Sequence, residues 1–167
     1  PQKGAGPAQI AELTDRLRRL VSVYRDRFGV DVTEIEGAGA AGGLGGGLAA
    51  LGARLVPGFP LIAEHTGLDA AVAAADAVVT GEGKLDAQSL RGKAPVGVAR
   101  AAAGHGVPVV ALAGEVNVAD RELRAAGFEE GHALEELEPD PDRALAEAGP
   151  LLERLAERVG RAWASLP

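Results

Sequence analysis

The sequence has no cysteine and no methionine, and only 3% of its 167 residues are aromatic. Without cysteine there is neither a disulfide framework nor a thiolate metal site. With so few aromatics the core must be built from Ala, Val and Leu, small side chains that suit close packing of helices on a sheet. The lack of methionine, together with a start at Pro1, raises the expectation of a processed chain or a piece of a longer one. No apolar run approaches the roughly 20 residues of a membrane span. No secretory signal is visible either, so no membrane partner is expected and a cytoplasmic location is. The formal charge of −7 argues against nucleic acid as a partner, because nucleic-acid binders carry a basic face. Anionic small molecules stay open, since a local site can be positive on an acidic protein. Lysine is the scarcest cation: of 17 basic residues, only Lys3, Lys84 and Lys93 are lysines, and each adjoins a glycine.

What is present is a 47% hydrophobic chain, enough for one ordinary domain or two small pieces. "PAQIAELTDRLRRLVSVYRDRF", residues 7–28, repeats its apolar residues at three- and four-residue spacing and predicts an amphipathic helix. Pro7 suits its first turn and Gly29 its end. "VDVTEIE" admits a short strand. A glycine-rich stretch follows, then a helix running out near Gly52, a turn at "PGFP", and two short helices over "LIAEHTG" and "LDAAVAAA". From Asp76 onward the order is strand, glycine loop, helix, strand, glycine loop, helix. "FEEGHAL" offers a last strand, and one or two final helices break at Gly149–Pro150. That alternation predicts an α/β fold with a parallel sheet covered on both faces. Right-handed crossovers then place the loops after Val79 and Leu112 at one edge of the sheet, where ligands of open α/β sheets bind. Position alone nominates "TGEGKLDAQSLRGK" and "AGEVN".

"GAGAAG", residues 37–42, spells the dinucleotide fingerprint G-x-G-x-x-G. That reading requires a good strand before it and a helix after it. The preceding segment is weak and polar, and the following helix would carry a run of glycines costing about 1 kcal/mol each relative to Ala. Two readings remain: glycines that let backbone pack directly on a neighbour, or an anion cradle of converging N–H groups. A phosphate-binding G-x-x-x-x-G-K-[ST] is absent, because Ala94 follows Lys93 and Ala87 occupies the first glycine position. The histidines, His65, His105 and His132, show no metal spacing, and no G-x-S-x-G occurs.

Within the nominated loop, Lys84 and Lys93 are compact charges suited to phosphate, and Lys3 is a third candidate. Glu82 and Asp86 can accept a proton or hold Mg2+. Asp86 equally suits a cap on the turn "AQSL". The stripe Leu151, Leu152, Leu155, Val159 and Trp163 predicts a core or interface face.

In this order, "GAGAAGGLGGGLAALGARLVPG" and "ADAVVTGEGKLDAQSLRGKAPVGVARAAAGHGVPVVALAGEV" resemble the bacterial glycerate kinase family. "PQKGAGPAQI" resembles the segment that family carries ahead of its glycine stretch. The resemblance weakens after about Val118. It implies two α/β domains, one of them Rossmann-like, with the site in the cleft between them. It also implies phosphorylation of D-glycerate by ATP with a divalent metal, Mg2+. By that pattern residues 1–66 end the inserted, glycine-rich domain and residues 67–167 complete the Rossmann-like one. The family's amino-terminal Asp-Ser-Phe-Lys-Gly segment is missing, so the chain is expected to be a carboxyl-terminal portion and could lack residues needed for turnover. Such a portion would expose core surface and tend to form homo-oligomers. Phosphoryl transfer needs alignment, charge neutralisation and a way to handle the acceptor's proton; as a hypothesis for it, Asp86 and Lys93 are the catalytic candidates and Glu82 and Asp86 the metal candidates. Lys3, Gly39, Gly42, Gly43, Gly81, Gly83, Lys84 and Gln88 are the candidates for phosphate or substrate. A non-catalytic module that binds an anion or packs against a subunit is the alternative, and an NAD-dependent oxidoreductase the third reading.

Overall fold

The computed structural model describes residues 4–164. Contacts divide the chain into two compact units, Pro1–Pro57 and Gly58–Pro167. The division falls ahead of the boundary expected after residue 66. The reason is α3 (Gly58–Thr66), which packs on α4 (Leu68–Ala73) and α5 (Ala94–Gly104).

In the first unit α1 spans Pro7–Phe28, as the periodicity predicts. Left-handed Gly29 ends it, donating its N–H to the Arg25 carbonyl at 2.9 Å. The expected strand after Gly29 does not form. Asp31 instead accepts from the N–H of Thr33 at 3.0 Å and from its hydroxyl at 2.6 Å. This local turn, which Asp makes readily, buries Val32. The glycine stretch enters α2 (Ala40–Ala50) through three left-handed residues, Ala41, Gly42 and Gly43. A Cβ on Gly43 would lie 2.7 Å from Leu20 Cδ2 of α1, and one on Gly45 only 2.5 Å from the Gly37 carbonyl oxygen. The glycines thus let α2 approach α1 and its own leading turn more closely than alanine would. Among the described residues no strand precedes them, so the context a dinucleotide fingerprint needs is missing.

The second unit holds a three-stranded parallel sheet flanked by helices, ordered β1 (Val78–Leu85), β2 (Val109–Val116), β3 (Glu130–Ala133). Central β2 opens as an unbroken apolar run, Val109–Ala113, because that part is covered on both faces. Val109, Ala111 and Ala113 pack with Val96, Ala99 and Ala102 of α5 and with Phe128. Val110 and Leu112 pack on the other side with Leu151, Leu155 and Val159 of α8 (Ala148–Ala164). Of the predicted stripe, Leu151, Leu155 and Val159 are core, Trp163 packs against them half-buried, and Leu152 is exposed. The remaining helices are α6 (Asp120–Ala125) and α7 (Pro141–Ala146). The final break comes at Glu147, not at Gly149–Pro150. Those two residues fall in the first turn of α8, where proline's missing N–H costs nothing. No helix among the described residues is long and apolar enough to cross a membrane.

Both long strands outrun their expected ends. The sequence reading lets the chain leave the sheet after Val79 and after Leu112; the ladder instead continues to Leu85 on β1 and Val116 on β2. Glycines that look like loop residues are strand residues in tight quarters: a Cβ on Gly114 would sit 2.5 Å from the Gly83 carbonyl oxygen. Isolated strand glycines mark such close backbone approach.

Candidate functional site

The extension of β1 changes what the nominated loop is. Pleating puts Val78, Thr80 and Glu82 on the face that α5 covers, while Val79 and Gly81 take the opposite face; past Gly83 the alternation shifts, so Lys84 is exposed and Leu85 is buried in the cluster with α5. The loop proper runs only from Asp86 to Gly92, through a 3-10 turn at Ser89–Arg91, and Lys93 caps the amino end of α5.

Asp86 organises the turn. Its Oδ1 accepts from the backbone N–H groups of Gln88 at 2.9 Å and Ser89 at 3.0 Å. These bonds, the one from Ser89 first, hold the Asp86 carboxyl below its usual pKa against the opposing effect of burial, and the nearby Lys93 charge adds to them. The capping role that sequence allowed is therefore real. Gln88 stands exposed with its N–H committed to this cap.

Ser89 is fully buried and sits at the centre. Its hydroxyl accepts from the Asp86 N–H at 3.2 Å and from Lys93 Nζ at 3.0 Å. Its single proton is shared between the Lys84 carbonyl at 3.1 Å and Asp86 Oδ1 at 3.3 Å. One donor and two acceptors exhaust a serine hydroxyl. Lys93 Nζ also lies 3.3 Å from Glu82 Oε2. The other Glu82 oxygen, Oε1, is buried and has no partner among the described residues. A buried polar atom without a partner is costly, and a carboxylate oxygen so placed suits a cation or a donor group of a ligand. Ser89 lies within the loop that the sequence nominates but is given no role there, because nothing in its spacing reveals that it will be buried under a lysine.

Lys84 is disposed differently. Its ammonium meets Glu115 Oε2 of β2 at 2.6 Å, and Asn117 Nδ2 donates to the same oxygen at 3.1 Å. The hydrogen bond and charge of Glu115 raise the Lys84 pKa and lower that of Glu115. Lys84 and Lys93, close in sequence, thus have separate carboxylate partners. Lys3 lies outside the described residues. Gly39, Gly42 and Gly43 belong to the first unit, where the Gly43 N–H is taken by the Gly39 carbonyl at 3.2 Å.

On the other face of the sheet, Val79, Gly81, Gly83, Leu112, Leu145 and Leu152 line an open cleft of about 1220 Å³. Glu82 and Glu115 reach its lining, but Lys93 and Ser89 do not. The groups able to hold charge are gathered at the carboxyl end of β1 and the amino end of α5. There a parallel sheet with a helix amino terminus favours an anion. Among the described residues no three His, Cys, Asp or Glu side chains converge as a metal cage. A hard cation here would need oxygens from its own ligands, as Mg2+ commonly does with phosphates and water.

The chain matches the sequence profile described as "Glycerate kinase family" over residues 1–164. It is 41% identical over 160 residues to a glycerate kinase of Halalkalibacterium halodurans, covering 95% of this chain and 42% of that protein. It is 42% identical over 117 residues to the glycerate 2-kinase of Escherichia coli, covering 70% of this chain and 31% of that one. Among solved structures, one from Salmonella typhimurium assigned to glycerate kinase 2 superposes with a TM-score of 0.66 at 34% identity. That match covers 99% of this chain and 42% of the other. The chain therefore spans less than half the length of these relatives.

Proposed function

Because the chain belongs to the glycerate kinase family, we propose that it carries part of the apparatus for ATP-dependent phosphorylation of D-glycerate. In that reaction a glycerate hydroxyl oxygen bonds to the γ-phosphorus, the bond to the bridging oxygen of ADP breaks, and the hydroxyl proton departs to a base or to water. The protein's task is alignment and charge neutralisation more than covalent chemistry. The observation that carries the reading is the Glu82–Lys93–Ser89 cluster at the carboxyl edge of a parallel sheet, with Glu82 Oε1 buried and unpartnered among the described residues.

Lys93 is assigned to the phosphate charge. Its side chain is 39% exposed, so an oxyanion can reach an ammonium that the protein already holds. Asp86 uses Oδ1 for the cap and is assigned to orient the glycerate hydroxyl through its other oxygen. A carboxylate held below its usual pKa is a weak base, so it suits a proton that moves late. Mg2+ fits the donor set through Glu82 Oε1, with Asp86 the second candidate; when bound it would neutralise phosphate oxygens. Gln88 is assigned to the rim of this site, and Gly81 and Gly83 to the cleft on the other face of the sheet, whose lining Glu82 also reaches. Lys84, paired to Glu115, is assigned a lesser part. A Rossmann-like description of the sheet-bearing unit and a cytoplasmic location belong to the same reading.

One observation favours the subunit-packing alternative: Val79 is 65% and Leu145 80% exposed on the open cleft, an unusual amount of apolar surface beside a parallel sheet. The test is glycerate-dependent formation of ADP from ATP–Mg2+ by the protein in its natural full length, with thermal shifts for ATP–Mg2+, glycerate and NAD. Turnover with glycerate is expected. A shift with NAD alone would favour an oxidoreductase, and neither turnover nor any shift would favour the packing module.

A further inference from the structure

We infer that Ser89 is the positioning residue for the Lys93 ammonium; the inference rests on the kinase reading of Lys93. A lysine side chain has four rotatable carbons and much rotamer freedom to lose, yet phosphate neutralisation in the transition state needs its charge at one place. Two contacts fix Nζ. Glu82 Oε2, at 3.3 Å, supplies charge with loose geometry, and Ser89 Oγ, at 3.0 Å, supplies direction. The direction can be trusted to the hydroxyl because Ser89 cannot turn. It is buried, it sits in the 3-10 turn that Asp86 caps, and its other acceptor site and its proton are taken by Asp86 and the Lys84 carbonyl. The only remaining lone pair faces Lys93. An ammonium has three N–H donors, and with two spent on Ser89 and Glu82 the third is left to a ligand oxygen. The same turn accepts the Lys93 backbone N–H at the Ser89 carbonyl, at 3.2 Å, so one residue anchors both ends of the lysine.

The test uses Ser89→Ala and Ser89→Thr, the second keeping the hydroxyl. In the natural full-length protein Ser89→Ala should lower kcat about tenfold, the loss of one charge-assisted hydrogen bond, while KM for glycerate moves less than about twofold. Ser89→Thr should recover most of the rate. A Ser89→Ala protein that folds and keeps its kcat overturns the inference, as does an equal loss in both variants. Amine acetylation with peptide mass analysis gives a readout that needs no turnover. Lys93 should label several-fold faster in Ser89→Ala than in wild type and Ser89→Thr, while Lys84, held by Glu115, stays constant and reports intact folding. Unchanged Lys93 labelling overturns the inference. Should Ser89→Ala not fold, wild-type NMR decides: the Lys93 ammonium should show cross-peaks to the Ser89 β-protons, and their absence overturns it. A wild-type protein that turns over no glycerate fails the kinase reading instead, and the labelling then decides the Ser89 contact by itself.

Discussion

Gly81 faces Leu112 across the β1–β2 ladder so closely that a Cβ on Gly81 would sit 2.0 Å from the Leu112 carbonyl oxygen. Both partners of that collision are backbone, so no rotamer change relieves it. Gly81→Ala should destabilise the fold by about 3 kcal/mol, the upper end of overpacking costs. At Gly83 a Cβ meets nothing within 4 Å, and Gly83→Ala should stay within about 0.5 kcal/mol of wild type. Urea unfolding of the two variants compares them directly. Equal midpoints would mean that β1 does not hold this register.

Lys93 and Lys84 should separate sharply in activity. Lys93→Ala removes the ammonium assigned to phosphate and should lower kcat/KM about 100-fold or more in the natural full-length protein. Lys84→Ala removes an exposed ion pair with Glu115. Such pairs contribute little to stability, and the change in rate should stay within about threefold. Steady-state kinetics with varied ATP and glycerate reads both, and a larger loss at Lys84 would reverse the assignment.

Asp86 serves as a cap and is proposed to orient substrate, and two substitutions pull these apart. Asp86→Asn keeps an acceptor for the Gln88 and Ser89 N–H groups, so Tm should be little changed while turnover falls. Asp86→Ala loses the cap and should lower both. Unimpaired turnover in Asp86→Asn would leave Asp86 with the capping role alone.

Acid should weaken the first unit through Asp31. Hydrogen bonds from the Thr33 hydroxyl and N–H, then the Arg25 guanidinium at 2.5 Å, bring its pKa from 3.8 to about 2. A depressed carboxylate stabilises the fold above its unfolded pKa and loses that contribution as pH falls through the folded one. The loss should therefore appear between about pH 4 and pH 2. Asp31→Asn should flatten Tm against pH in that window. An unaltered profile would locate the acid sensitivity elsewhere.

Helices and strands were largely legible because their signals are local. The spacing of Ile10, Leu13, Leu17 and Leu20 reads out α1, and the alternating strands and helices after Asp76 read out a covered parallel sheet. Two of the misreadings share one cause. Asp31 and Thr33 turned an alternating apolar segment into a tight turn through side-chain bonds, and glycines at 81, 83 and 114 looked like loop residues while serving inside strands. In each case a residue's usual preference gave way to a contact that preference tables do not contain.

The sequence by itself determined the α/β class, the family, and the short stretch from Glu82 to Lys93 that holds the candidate chemistry, because periodicity and motif order are written along the chain. Only the tertiary structure decided that Lys84 pairs with Glu115, that Lys93 meets Glu82, and that Ser89 is buried beneath its ammonium. Those partnerships depend on strand register and on where a turn places its side chains. Both are set by packing between segments that the sequence alone does not bring together.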